Sequence, residues 1–451
     1  MTRKPNVILV NCDDLGWGDP ACYGHPRHKT QYLDQMAAEG TRFTDFYMAS
    51  PVCSPSRGGM LTGCYPRRIG FGDFDGKWVL FPGQEIGLDP AEQTIAGALK
   101  GAGYATRIIG KWHCGDQPEF LPTRHGFDGY YGIPYSNDMG RQQGRTNWPP
   151  LPLMRNEDVV EEQPDQGSVT ARYVEDAVRF MREHRDGQFF LYLAHMYVHL
   201  PIYVPERFAR ESENGRYGGA VAAIDWAMGA LFAELKRLGI DEDTMVLFTS
   251  DNGSRNDNGD SNGHLRGHKG ETWEGGQRVP LIVRWPRTVP GGREVSGITS
   301  AIDLFPTIAS LCGAETSPRG PIDGVDLSDL FTGKTDVSPR AEFGYFHFNN
   351  LEAVRRGPWK LHFRKRDTEI ADLYNLEADP GETTNVYKDN PETVARLSEL
   401  AAGLRQDVGD AATGQPGNCR AIGRVENPDT LTHYDPDHPY YMAEYDLTEA
   451  G

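Results

Sequence analysis

Asn6-Val7-Ile8-Leu9-Val10-Asn11-Cys12-Asp13-Asp14-Leu15-Gly16 is the stretch that sets the fold class. Its apolar run does not alternate, which suits a strand covered on both faces, as in a parallel sheet. Two adjacent carboxylates at its end fall where open α/β sheets place ligands, beyond the C-terminal edge of the strands. The pattern recurs three times. Residues 104–109 run into Gly110-Lys111-Trp112-His113, residues 189–194 lead to His195 and His199, and residues 245–249 end in Ser250-Asp251-Asn252-Gly253. Helical stretches lie between, at 31–39, 92–100, 169–184 and 217–238, with further strands at 42–48 and 279–285 and a short helix in 303–312. This alternation predicts an α/β fold: a large, mainly parallel sheet sandwiched by helices. Right-handed crossovers then gather all four polar clusters along one edge.

Further along, the composition changes near 334–340, which divides the chain into 1–338 and 339–451. The second part holds short alternating strands at 352–363 and 370–375 and a helix near 392–404, an antiparallel sheet with one helix. From 413 the chain is rich in Pro, Asp and Tyr and is expected to wrap the surface. The Gly- and aromatic-rich residues 64–90 read as a surface excursion over the polar edge, and 114–167 as a loop walling a pocket.

At 451 residues, with 38% hydrophobic and 24% charged residues, the composition is that of a globular protein. A net charge of −18 argues against nucleic acid as a partner. Seven scattered cysteines with no CxxC pair suggest neither a zinc ribbon nor a disulfide scaffold. No apolar run reads as a membrane span, and the run after Pro5 is too short for a signal-peptide core. The expected location is cytoplasmic for the chain as written, and periplasmic or secreted if a leader has been removed.

Pro51-Val52-Cys53-Ser54-Pro55-Ser56-Arg57, continuing to Gly63, reads as a helix start, with Ser54 as cap and Pro55 in the first helical position. The helix dipole and Arg57 would then favour negative charge at Cys53. Chemically, the gathered residues fall into two groups. Asp13, Asp14, Asp251 and Asn252 offer only oxygen ligands, which suit Ca²⁺ or Mg²⁺. Arg57, Lys111, His113, His199 and Lys269 offer positive charge and protons to a small oxyanion. Cys53 lies between the groups as the natural nucleophile. A zinc reading of His195 and His199 fails, because no glutamate follows His195 and Pro201 limits a helix. The set describes a metal-dependent hydrolase of sulfate or phosphate esters.

These motifs carry a resemblance. Cys53-x-Pro55-Ser56-Arg57 with Leu61-Thr62-Gly63, the Asp13-to-Asp19 opening, Gly110-Lys111-Trp112-His113, Ser250-Asp251-Asn252-Gly253 and Lys269-Gly270 to Gly276 are similar to those of type I sulfatases of the alkaline phosphatase superfamily. The arylsulfatase A and N-acetylgalactosamine-6-sulfatase group is the most similar, and 353–361 and 373–382 resemble that family's small antiparallel domain. The resemblance implies that a separate maturase, acting on the unfolded chain, oxidises Cys53 to formylglycine, whose hydrate attacks sulfur. It implies metal ligation by Asp13, Asp14, Cys53, Asp251 and Asn252, and steadying of the nucleophile by Arg57. Lys111 and Lys269 would bind sulfate, His199 would bind substrate and protonate the leaving group, and His113 would act as base in expelling sulfate.

The rival readings are a phosphonate or phosphate ester hydrolase of the same superfamily and a non-catalytic binder of sulfated glycans. For the leaving group, Trp78, Trp148, His264, Arg266 and His268 point to a small sulfated sugar rather than a bare aryl group.

Overall fold

The computed structural model describes residues 4–255, 258–440, 445 and 447–448. The opening run forms β1 (Asn6–Cys12), buried at every position. In chain order there follow β2 (Thr41–Tyr47), β3 (Ile86–Gly87), β4 (Ala105–Gly110), β5 (Gly129–Gly132), β6 (Pro152–Arg155), β7 (Asp158–Glu162), β8 (Phe189–Ala194), β9 (Thr244–Ser250), β10 (Arg278–Arg284), β11 (Arg293–Val295) and β12 (Thr299–Ser300). All but β3 join one sheet in the order β11-β2-β10-β9-β1-β8-β4-β5-β6-β7, with β12 beside β2. Its centre, β9-β1-β8-β4-β5, is parallel. Antiparallel strands flank it: β10 against β9 and β2, and β6 against β5 and β7.

The unbroken apolar run of β1 now has its physical cause. Val7 and Leu9 enter one core, with Leu61, Ile108 and Phe305, whereas Ile8 and Val10 enter another, with Met36, Met181 and Ile224. Helices Cys53–Thr62, Ile95–Gly101 and Leu304–Cys312 cover the first face, and Gln31–Glu39, Val169–Glu183 and Gly215–Leu238 the second. Both faces are dry, so the strand has no polar side to alternate with.

A second sheet, β13 (Glu342–His347), β14 (Asn350–Arg356), β15 (Trp359–Lys365) and β16 (Thr368–Asn375), is antiparallel throughout. Helix Pro391–Asp407 packs on it through Leu397, Leu400 and Ala401. The tail then returns to the first part of the chain, where β17 (Gly423–Arg424) pairs with β3.

Several expectations need correction. The segment 114–167 is not only loop, since it contributes β5, β6 and β7 to the large sheet. Residues 64–90 are a surface excursion only in part: 75–78 are exposed, whereas Ile69, Phe71, Phe74, Leu80 and Leu88 are core residues. Aromatic and Ile/Leu side chains among the glycines supply enough apolar area to bury that part. The single strand expected over 352–363 is two strands turning at Gly357-Pro358, with Gly357 at φ 54°. Finally, helix Gly215–Leu238 has the length and apolar composition of a membrane span, contrary to the sequence reading, but it is mostly buried in the fold as a core helix.

Candidate active site

Four neighbouring strands, β9, β1, β8 and β4, each release a polar cluster at the same edge. Asp251-Asn252 follow β9, Asp13-Asp14 follow β1, His199 lies just beyond β8, and Lys111 and His113 follow β4. Gly110 makes the last of these possible: at φ 110°, it lies where a Cβ would sit 1.9 Å from the carbonyl oxygen of Ala194. The close approach lets the Lys111 N–H donate to that oxygen at 2.8 Å. Asp14 (φ 59°) and His113 (φ 57°) occupy the left-handed region, a strain of about 1–2 kcal/mol for a residue with a Cβ.

The helix carrying the Cys53 motif starts two residues earlier than expected. Cys53 itself opens it, extended Val52 is the cap residue, and no side chain caps it. Ser54 is therefore not the cap; its Oγ accepts the Leu80 N–H at 3.1 Å. All ten residues of the helix are buried, Arg57 among them. Burial drives the Cys53 thiol pKa well above its ordinary value against the pull of Lys111 and Lys269. The negative charge that the surroundings favour therefore lies beside the sulfur, on Asp13 at 3.5 Å. The bare thiol stays protonated.

The charges around it interlock. Lys111 Nζ donates to Asp13 Oδ2 at 2.5 Å, and Lys269 Nζ donates to Asp14 Oδ2 at 2.9 Å. Arg57 donates from Nε to Asp251 Oδ2 at 2.8 Å and from Nη1 to the Lys111 carbonyl at 2.9 Å. Cys53 Sγ lies 3.5 Å from Asp13 Oδ1. Burial alone would protonate the carboxylates, but for Asp13 the positive charge of Lys111, with Arg57 and Lys269 behind it, outweighs burial and holds the acid ionised. Asp14 is lowered in the same way, with Lys269 leading. Asp251 goes the other way, to about 6, because burial and the Asp13 charge outweigh Arg57.

Both histidines have their protons assigned by their neighbours. His113 Nε2 lies 2.9 Å from the Leu80 carbonyl, which only accepts, so the neutral ring carries its proton there and Nδ1 keeps a lone pair. That Nδ1 is buried without a partner. His199 Nδ1 lies 2.6 Å from the Leu200 carbonyl and 3.1 Å from Asn137 Oδ1, which leaves Nε2 facing Asp14 at 3.9 Å. Asn137 is itself oriented, because its Nδ2 donates to Gln166 and to the Pro201 carbonyl.

The residues fit a hard divalent cation. One ligand atom each from Asp13, Asp14, Cys53 and His199 lie within 4.8 Å of one another. Asn252 Nδ2 donates to Asp14 Oδ1 at 2.8 Å and to the Gly253 carbonyl at 2.9 Å, which leaves the buried Asn252 Oδ1 unpartnered. Asp13, Asp14 and the orphaned amide oxygen of Asn252 form an oxygen-rich donor set suited to Ca²⁺ or Mg²⁺; Asp251, the other expected ligand, is not in that group of four and accepts from the Asp14 N–H at 3.2 Å and from Arg57.

A cleft of about 450 Å³ opens over Cys53, His113, His199 and Lys269, with Trp78 and Trp148 on its walls. His264, Arg266 and His268 do not line it. Arg266 sits over the Trp273 ring and donates to the Glu382 carbonyl, His264 packs on Trp17, and His268 pairs with Glu271. Their chain neighbour Lys269 turns inward while they face the C-terminal sheet or the surface. Sequence reasoning missed Asn137 and Leu80. The polar run Ser136-Asn137-Asp138 inside an aromatic-rich stretch was a usable signal, whereas Leu80 acts only through its backbone and leaves none.

Known proteins resemble this chain over most of its length. The sulfatase family model matches residues 5–314, and the model for the C-terminal part of N-sulphoglucosamine sulphohydrolase matches 268–408. Arylsulfatase A of Homo sapiens is 37% identical over 95% of this chain and 92% of its own length. N-acetylgalactosamine-6-sulfatase of Sus scrofa is 35% identical over 92% and 88%. The crystal structure of Ps i-CgsB in complex with k-i-k-neocarrahexaose superposes with a TM-score of 0.81 at 29% identity, covering 94% of this chain and 96% of that one.

Proposed function

We propose, from the premise that this chain belongs to the sulfatase family and is an enzyme that hydrolyses sulfate esters, that it cleaves a sulfate monoester of a carbohydrate through a formylglycine made from Cys53. The observation that carries this reading is the position of Cys53 against Asp13, at the floor of the cleft and inside three carboxylates and three fixed cations. With Cys53 at 1% exposure, the oxidising maturase acts on the unfolded chain.

Asp13, Asp14, Asp251 and Asn252, with residue 53, would hold Ca²⁺ or Mg²⁺. Such an ion supplies Lewis acidity that lowers a hydroxyl pKa and offsets sulfate charge. The chain's own groups do the rest. Water adds to the aldehyde, giving a geminal diol steadied by Arg57. One hydroxyl gives up its proton to solvent and, as the alkoxide, attacks sulfur in line while the bond from sulfur to the leaving oxygen breaks. His199 keeps its Nδ1 proton against Leu200 and Asn137, takes up a second proton at Nε2 from solvent as substrate enters, and donates that one to the leaving oxygen. Lys111 and Lys269 hold the sulfate oxygens as charge shifts. His113 Nδ1, the free lone pair, takes the proton of the second hydroxyl; the carbonyl re-forms, the bond from carbon to the bridging oxygen breaks, and sulfate leaves. A serine or cysteine at position 53 has no second hydroxyl, and so lacks this exit.

Two measurements test the reading. Peptide mass analysis of active protein should find residue 53 as the aldehyde; active protein with only unmodified Cys53 would overturn the mechanism. A panel of sulfated mono- and disaccharides beside nitrophenyl sulfate and nitrophenyl phosphonate should favour the sugars. A strict aryl preference refutes the sugar assignment, and a phosphonate preference refutes the sulfate specificity.

A further inference from the structure

The cleft wall carries a row of side chains that the chemistry above does not use. Lys77 Nζ lies 5.1 Å from the centre of the Phe81 ring, Phe81 lies 5.9 Å from Trp148, and the Arg145 guanidinium lies 5.5 Å from Trp148. All four line the same cleft as Cys53. Phe81, Trp148 and Arg145 are half-buried and Lys77 is exposed, so the row keeps an open face.

We infer that this row of cation, ring, ring and cation is a subsite for the leaving group, and that it selects a sugar bearing a second anionic group, a sulfate or carboxylate, besides the ester that is cleaved. The inference rests on the carbohydrate reading above. Lys111 and Lys269, paired with Asp13 and Asp14 beneath Cys53, are already assigned to the ester that is cleaved, so neither is left for a second anion. Lys77 makes no ion pair among the described residues. Arg145 is tethered through Nη1 alone, to the carbonyl and carboxylate of Asp138 at 2.9 and 3.2 Å, and its other nitrogens remain for a ligand. The two rings offer flat faces to the C–H surface of a sugar. A bare aryl or steroid group would cover the same rings but would strip water from two cations without replacing it, which is unfavourable. An anion beside each ring replaces that water with charge-assisted hydrogen bonds.

The test compares kcat/KM, in protein with formylglycine at position 53, for two disaccharide sulfates identical except for a second sulfate or carboxylate on the adjoining sugar, with nitrophenyl sulfate as reference. The doubly anionic sugar should be preferred about tenfold, the size of one charge-assisted hydrogen bond. Lys77→Met should reduce that preference to about threefold or less, mainly through KM, and Lys77→Arg should restore it. Raising salt from about 0.05 to about 0.5 M should erode the preference in the wild type and leave little to erode in Lys77→Met. Equal turnover of the two disaccharides, or a preference that survives Lys77→Met, overturns the inference while leaving sulfatase chemistry intact. Turnover of nitrophenyl sulfate with neither disaccharide accepted removes the carbohydrate reading and this subsite with it.

Discussion

The molecule buries two dense networks of charge, and they are built to opposite ends. One lies at the C-terminal edge of the parallel strands, with Asp13, Asp14 and Asp251 against Arg57, Lys111 and Lys269. The other joins the two sheets. There Glu274 accepts from Lys360 and Tyr345 at 2.9 Å each and from Tyr47, Asp45 accepts from Arg278 and Arg355 at 2.9 Å each, and Glu382 binds His362 and Lys360 at 2.7 and 3.0 Å. In the second network both oxygens of Glu274 and of Asp45 are occupied, and His362 Nδ1 is the one side-chain atom of these residues left without a partner. The first leaves Asn252 Oδ1 and His113 Nδ1 open, and it borders a cleft. A saturated network holds elements together; an unsaturated one keeps donors and acceptors ready for a ligand. Substitutions should therefore cost activity in the first and stability in the second.

Cys53→Ala is the strongest probe. Removing the nucleophile should lower kcat by about 10⁵-fold, roughly 7 kcal/mol, with the melting temperature within a few degrees of wild type. A variant that instead unfolds would erase the contrast. His199→Gln comes next. It should cost up to about 10⁴-fold with a sugar sulfate, whose alkoxide needs a proton, and much less with nitrophenyl sulfate, whose leaving group is already a weak base. Equal losses on both substrates would remove His199 as the acid.

For the second network, Glu274→Gln should destabilise by about 3–5 kcal/mol in urea unfolding, because Lys360, Arg278 and Arg355 lose their shared anion, while kcat of the folded fraction stays within about threefold. The pH dependence has a definite sign. Burial raises the Glu274 pKa, but Lys360, Arg278 and Arg355 outweigh it and bring the acid down to about 2. Its folded value lies below the ordinary value of about 4.3, so its contribution is full above about pH 5 and is lost as pH falls through about 2. Wild type should lose stability across that window more steeply than Glu274→Gln.

The contrast also explains what could be seen before the fold was known. Asp13-Asp14, Lys111, His199 and Asp251-Asn252 were legible because each ends an apolar run, and parallel topology forces such ends together. The inter-sheet network was not, although Glu274 and Arg278 sit in plain view, because Glu274 reaches across to Arg355 on β14 and Lys360 on β15 and Arg278 to Asp45 on β2, and nothing local marks that docking. β5 to β7 were hidden in a Gly- and Pro-rich stretch whose strands are four or five residues long, too short to show a period. His264, Arg266 and His268 were misplaced because adjacency in sequence to Lys269 says nothing about which way a loop residue faces.

The smallest effect probes the join between scaffold and site. The Leu80 peptide is held from both sides: its N–H donates to Ser54 Oγ, and its carbonyl accepts from His113 Nε2. Ser54→Ala leaves a buried N–H unsatisfied, which costs about 1–2 kcal/mol of stability. Were that all, the site would not respond. But the Leu80 carbonyl is also what keeps the His113 proton on Nε2 and its lone pair on Nδ1. A loosened peptide admits the other tautomer, whose Nδ1 cannot take a proton. The loss, about threefold, should appear in the expulsion of sulfate rather than in its transfer. Pre-steady-state kinetics with nitrophenyl sulfate should then show an intact burst of nitrophenol and a slower steady rate. A burst slowed in step with the steady rate would mean that Ser54 supports the helix start and not the base.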